Sequence, residues 1–147
     1  MKRPRQVAGR TAAGTRPATA AAADPRGDVV MRTIAMPADA NANGDIFGGW
    51  LFSQMDLGGA VLARSVARSR VVTVAVDAMS FVTPVDVGDT VTCYARVESV
   101  GRTSLQIAIE AWVQRYVDAS EHHVTHGRFT YVAIDGRGKP RRVKRAT

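Results

Sequence analysis

Cysteine is almost absent from this chain: Cys93 is the only one in 147 residues. A single thiol excludes an intramolecular disulfide framework and any thiolate-rich zinc site. Long apolar runs are absent as well. Each is broken by Asp, Arg or Ser well short of the roughly 18–20 residues a bilayer span requires, so a membrane-embedded chain is not expected. No G-x-S-x-G elbow, P-loop, G-x-G-x-x-G after a strand, H-E-x-x-H motif or internal repeat is present. These absences remove the sequence routes to serine-hydrolase, nucleotide-phosphate and zinc-protease chemistry. What remains, 46% hydrophobic and 22% charged residues, is the composition of one soluble globular domain. Its length allows burial of roughly two thirds of the unfolded surface.

The ends of the chain are poor in acid. Residues 1–28 carry a formal charge of +4 and residues 136–147 carry +6, whereas 29–135 carry −3. The net +7 therefore belongs to the ends, and a nucleic-acid partner is not expected from the slightly acidic body. Basic ends can still steer an anionic ligand. Residues 1–28, rich in Ala, Arg, Thr, Gly and Pro, lack the large apolar side chains that would offset the entropy of ordering, so a disordered basic lead-in is expected. Their acid-poor, Arg- and Ala-rich composition also matches an organellar transit peptide, but a nonspecific extension is the favoured reading. With no apolar signal region, a cytoplasmic location is expected. The folded body is expected over 29–140, with 141–147 a solvated basic tail.

From Asp28 the texture changes. Residues 29–36 read as a strand ended by Pro37, and residues 38–45 are dense in turn-forming Asp, Asn and Gly. A helix follows, opened by Ile46-Phe47-Gly48-Gly49-Trp50. Its apolar stripe runs through Leu51, Met55, Gly58, Leu62 and Val66 at the helical period, and Phe52, Gly59, Ala60, Val61 and Ala63 widen it until the helix looks buried nearly all round. Gly58-Gly59 in mid-helix costs about 1–2 kcal/mol in propensity, which implies close approach of another element. After Arg70 the period becomes two, with strands expected at 71–82, 89–100, 103–116 and 122–134. The short connections at 84–88, 101–102 and 117–121 predict antiparallel neighbours. One helix against a long antiparallel sheet is an α+β architecture. A single helix cannot cover both faces of five strands, so the uncovered face or edge is expected to meet another chain.

Asp56 stands out as a carboxylate in the most apolar helix, where partial desolvation would raise its pKa and make it a better base. It could equally reach solvent at the edge of the stripe or cap another segment. Gly48 and Gly49 leave backbone N–H groups uncovered at the positive end of the helix, where an anion or developing oxyanion would be stabilised. They could also serve only as a tight turn. Eight residues separate Gly48 from Asp56, about 12 Å along one helix, so the two cannot serve one carbonyl within a chain. Two such helices packed antiparallel would bring them together twice. His122, His123 and His126 lack a carboxylate or thiol at ligand spacing and read as solvated rather than metal-binding. Cys93 reads as a buried structural thiol.

The segments Asn41-Ala42-Asn43-Gly44-Asp45-Ile46-Phe47-Gly48-Gly49-Trp50, Ser53-Gln54-Met55-Asp56 and Arg70-Val71-Val72-Thr73-Val74-Ala75-Val76-Asp77 resemble the YciA-like acyl-CoA thioesterases of the hotdog-fold superfamily. Phe81-Val82-Thr83-Pro84-Val85-Asp86-Val87-Gly88-Asp89 and Val100-Gly101-Arg102-Thr103-Ser104 match in type and order. The resemblance spans about residues 29–140 and implies a hotdog fold, a long helix wrapped by an antiparallel sheet. It also implies dimers with composite active sites, commonly assembled as hexameric trimers of dimers, and hydrolysis of acyl-CoA to fatty acid and CoA. No cofactor or metal is implied, coenzyme A being part of the substrate. The family's helix carboxylate falls on Asp56, its loop amide on Asn41, and its helix-start glycine on Gly48 or Gly49. Phosphopantetheine and nucleotide contacts fall near Arg70, Thr73, Arg102, Thr103 and Ser104.

On this reading Asp56 activates water, or attacks directly to form a mixed anhydride. The Gly48 or Gly49 N–H of the partner chain polarises the carbonyl, and the Asn41 amide orients water or thioester. Arg70 and Arg102 pair with phosphates, though both could be solvated turn residues. Asp45 could cap the helix at Phe47-Gly48 and ranks behind Asp56 as a base. Two alternatives remain: another hotdog enzyme acting on acyl thioesters, such as a hydratase, which would need a catalytic His that the 41–49 loop lacks; or a noncatalytic acyl-CoA sensor whose basic ends bind nucleic acid.

Overall fold

The computed structural model describes residues 24–77 and 79–144. The lead-in expected at 1–28 thus lies outside the described residues up to residue 23. Residues 24–27 are part of the folded body: Gly27 N–H closes a turn onto the Asp24 carbonyl at 2.9 Å. There the Arg26 guanidinium lies 4.1 Å from the Tyr94 ring centroid and 4.8 Å from that of Trp112, and it holds the Asp24 carboxyl below its ordinary range.

Strand β1 (Asp28–Ile34) is followed by a 3-10 turn (Pro37–Asp39), helix α1 (Gly48–Ala67), then β2 (Arg70–Asp77), β3 (Thr90–Val100), β4 (Ser104–Gln114) and β5 (Glu121–Ile134). The β3, β4 and β5 strands lie within two residues of the expected limits because period-two alternation marks them clearly. All pairings are antiparallel, in the order β1-β3-β4-β5-β2.

The course of β2 differs from the sequence expectation in two ways. The strand expected over 71–82 ends at Asp77, and β2 is not a neighbour of β3. It pairs with β5 at the far edge, so β4 and β5 lie between them. Residues 79–89 cross the end of the sheet, long enough to span three strand spacings of about 4.8 Å. The crossing is tied by Val82 N–H to the Val124 carbonyl and Gly88 N–H to the Ala35 carbonyl, both 2.8 Å. Nor are residues 141–144, the described part of the expected basic tail, free of the body. Arg141 N–H bonds the Ala133 carbonyl at 2.8 Å and Val143 N–H bonds the Arg102 carbonyl at 2.9 Å, with the Val143 side chain in the core.

Helix α1 lies across the inner face of the sheet. Leu51, Met55, Ala63 and Ala67 are buried against a core that includes Ile107, Ile109, Phe129 and Tyr131. The two mid-helix glycines explain the contact. A Cβ at Gly58 would stand 2.8 Å from Val30 Cγ2, and one at Gly59 would collide with Ile109 Cδ1 and the Tyr131 hydroxyl. Gly59→Ala is therefore expected to destabilise the fold by about 1–3 kcal/mol through overpacking. Gly136→Ala, whose added methyl meets nothing within 4 Å, should be neutral; denaturant midpoints of the two variants check the contrast. The helix is not buried all round. Phe52, Leu57 and Val61 are exposed in the protomer, as are Val72 and Val74 on edge strand β2.

Candidate active site

Asp56 lies in the middle of α1, half-buried. Two hydroxyls converge on its Oδ1: Thr73 Oγ1 donates at 2.6 Å, and the Tyr131 hydroxyl lies 3.2 Å away while also reaching the Asp56 backbone carbonyl at 2.9 Å. Thr73 and Tyr131 are direct cross-strand partners on β2 and β5. The register of β2 shifts between Thr73 and Ala75, an irregularity of the kind that re-aims a side chain. Thr73, matched by resemblance to a coenzyme contact, thus binds the carboxylate. Tyr131 is fully buried, and burial followed by the nearby Asp56 charge pushes its phenol pKa well up, so it remains a neutral donor. Sequence reading passed over it. Its one signal is a hydroxyl-bearing ring within the inward alternation Phe129, Tyr131, Ala133, opposite a helical glycine.

At the other end of α1 the N-cap is Phe47, extended at φ −80°, ψ 150°, with no side-chain cap. Asp45 therefore does not cap the helix. Its backbone instead closes the 41–45 loop, donating to Asn41 Oδ1 at 3.1 Å and accepting the Asn41 N–H at 2.7 Å. Asn43 N–H also donates to Asn41 Oδ1, at 2.9 Å, so the carbonyl oxygen of the Asn41 amide is occupied by an Asx-type turn. The Gly48 and Gly49 N–H groups are among the unpaired donors a helix start carries, whereas the Trp50 N–H donates to the Phe47 carbonyl at 3.1 Å.

Beside them lie two apolar recesses. One of about 410 Å³ is lined by Gly48, Gly49, Phe52, Val76, Met79 and Phe81. Another of about 320 Å³ shares Gly48 and Phe81 and runs on to Leu51, Val85 and Val124. The Phe81 ring covers Gly48 so closely that a Cβ there would sit 3.1 Å from it.

The other matched residues gather at a third place. Arg70 opens β2 opposite Ile134, and Ser104 opens β4 opposite Val132. The Thr103 carbonyl accepts the Ala133 N–H at 2.8 Å and the Arg102 carbonyl accepts that of Val143. The last helical turn and its cap, the start of β2, the β3–β4 turn and residues 135–144 meet at this end. They bring nine cations, Arg141, Arg142 and Lys144 among them, against one acid, Asp135. Arg70 is three residues from Thr73, about 10 Å along the strand.

The remaining candidates sit elsewhere. Cys93 is buried on the sheet, which pushes its thiol up to about 12, as suits an inert structural side chain. His122 Nε2 meets the Ser120 hydroxyl at 2.8 Å, and the His123 ring neighbours both Trp112 and His126. Among the described residues no group of three His, Cys, Asp or Glu side chains is arranged to hold a metal, and no helix is long and apolar enough to cross a membrane.

The fold is that of the hotdog thioesterases: the family model of the thioesterase superfamily matches residues 43–117, and the chain belongs to that superfamily. Within it the chain stands among the YciA-like enzymes. It is 57% identical over 120 residues to the acyl-CoA thioester hydrolase YciA of Escherichia coli (strain K12), covering 80% of this chain and 91% of that one. Among solved structures it resembles HI0827, a hexameric broad specificity acyl-coenzyme A thioesterase (TM-score 0.80, 49% identity, 82% of this chain and 84% of that one). It also resembles the hexameric thioesterase y2039 from Yersinia pestis (TM-score 0.79, 56% identity, 83% and 99%).

Proposed function

We propose that this chain hydrolyses acyl-CoA thioesters to carboxylic acid and free CoA, with Asp56 of one protomer acting on a thioester held at the α1 N-terminus of a partner. The activity class follows from the family. The observation that carries the residue roles is the Asp56 carboxylate, held by two hydroxyls halfway along a helix that has an apolar, unpartnered face.

Water attacks the thioester carbonyl carbon while Asp56 takes its proton. The carbonyl oxygen becomes an oxyanion facing the partner's Gly48 or Gly49 N–H, a donor typically worth about 2.7–4 kcal/mol in the transition state. Collapse of the tetrahedral intermediate breaks the C–S bond and expels the CoA thiolate, a leaving group that needs no metal or strong acid. Direct attack by Asp56, giving a mixed anhydride that water then opens, is the competing route. The Asn41 loop precedes the same helix start, where its amide NH₂ can orient the thioester or the water.

The 12 Å between Gly48 and Asp56 estimated from helical rise supports a site shared between chains. So do the exposed Phe52, Leu57 and Val61 of α1 and the open, apolar edge strand β2, since such edges and patches call for a cover. Assembly as a hexamer, as in the relatives HI0827 and y2039, is part of the proposal. The recesses at Gly48 and Phe81 suit an acyl chain leaving a carbonyl anchored on the helix start. The nine cations suit the phosphates of the CoA nucleotide.

Thiol release from a panel of acetyl- to palmitoyl-CoA tests this reading. Turnover is expected, with kcat/KM falling as ionic strength rises because the cations steer a polyanion. Tight binding of every thioester with no thiol release would favour the sensor alternative.

A further inference from the structure

We infer that Tyr131 is a positioning residue for Asp56 and that, with Thr73, it reserves Oδ2 as the carboxylate oxygen that receives the proton. The inference rests on the reading of Asp56 as the base.

A free carboxylate rotates about its Cβ–Cγ bond and offers two equivalent oxygens. Here they are not equivalent. Thr73 Oγ1 donates to Oδ1 at 2.6 Å, and the single Tyr131 hydroxyl proton is shared between Oδ1 at 3.2 Å and the Asp56 carbonyl at 2.9 Å. No described residue donates to Oδ2. The Tyr131 hydroxyl spans side chain and main chain of one residue, so it fixes the carboxylate relative to the helix axis rather than only to the sheet. The helix is shaped to admit it, since a Cβ on Gly59 would collide with that hydroxyl. Burial and the Asp56 charge keep the phenol protonated, so the donor persists across the working pH range. Two donors on Oδ1 disperse its charge and weaken it as a base, and they hold the more basic Oδ2 in one direction. That is the arrangement a base needs to meet water at a fixed angle.

The test compares pH profiles of kcat/KM for the full-length protein and two replacements at position 131. Tyr131→Phe keeps the ring and removes the donor. Loss of a donor to the charged carboxylate disfavours that form, so the acid limb is expected to move to higher pH. With the carboxylate free to rotate, kcat should fall about tenfold and KM stay within about twofold, as for a loss confined to the transition state. Isosteric 3-fluorotyrosine placed at 131 is a stronger donor and should move the acid limb the opposite way. Opposed shifts support the assignment. If the fluorinated protein, which retains the packing, leaves the acid limb where wild type has it, Tyr131 is structural and the proposal is overturned. Asp56→Asn assayed alongside separates the two failures, because turnover by that variant removes Asp56 as base whatever Tyr131 does.

Discussion

Asp56→Asn is expected to lower kcat by about 10²–10⁴-fold, the usual contribution of a positioned base, with fold and assembly unchanged. The amide is nearly isosteric with the carboxylate. Its oxygen can still accept from Thr73 Oγ1, which now donates at 2.6 Å, and from the Tyr131 hydroxyl. What is lost is the ability to take a proton from water. Because Asp56 is only half-buried, removing its charge strands no buried counter-ion, and the thermal midpoint should stay close to wild type. Steady-state thiol release with size-exclusion chromatography of the same sample separates chemistry from assembly. Turnover within a few fold of wild type would exclude Asp56 both as base and as nucleophile.

Mixing two inactive proteins should restore activity. Asn41 precedes the helix start that holds Gly48, while Asp56 lies about two turns further along α1. In a two-fold dimer with antiparallel helices, one composite site takes Asn41 from the first chain and Asp56 from the second, and the other site takes the reverse. Pairing an Asp56→Asn chain with an Asn41→Ala chain leaves one composite site intact and doubles the damage in the other. Random reassociation makes half the dimers mixed, so about a quarter of the wild-type sites should return, against almost none in either parent. Asn41→Ala alone should lower kcat with little effect on assembly, although Asn41 Oδ1 accepts two loop N–H groups and some loosening of the 41–45 turn is expected. Mixed proteins no more active than their parents, after subunit exchange is verified with two affinity tags, would remove the main support for a shared site.

The same geometry explains why some residues could be found by reading and others could not. Asp56 was visible because a carboxylate contradicts its apolar surroundings on a helical wheel, and Gly48-Gly49 because glycine pairs at a helix start leave donors bare. Gly58-Gly59 announced a close approach, and the structure supplies its partners: Val30 for one, Ile109 and Tyr131 for the other. Tyr131 gave no such sign. An aromatic residue in period-two alternation reads as core, and its hydroxyl acquires meaning only when a residue 75 positions away lies over it. Thr73 was matched to a role in binding substrate, yet the irregularity in β2 turns it toward Asp56. Val143 sat in what read as a basic tail, since one valine among four cations has no periodicity to report.

Local pattern alone determined the element types, most of their limits and the candidate carboxylate, because side-chain periods of 3.6 and 2 record which way neighbouring residues point. Tertiary structure decided the strand order, with β2 carried past β4 and β5 to the far edge, and the two hydroxyls on Asp56. It also decided the docking of residues 141–143 against β5 and the β3–β4 turn. Each of these joins residues far apart along the chain. Such pairings are chosen by how whole faces pack and by which buried donors and acceptors find partners, quantities that no short window of sequence contains.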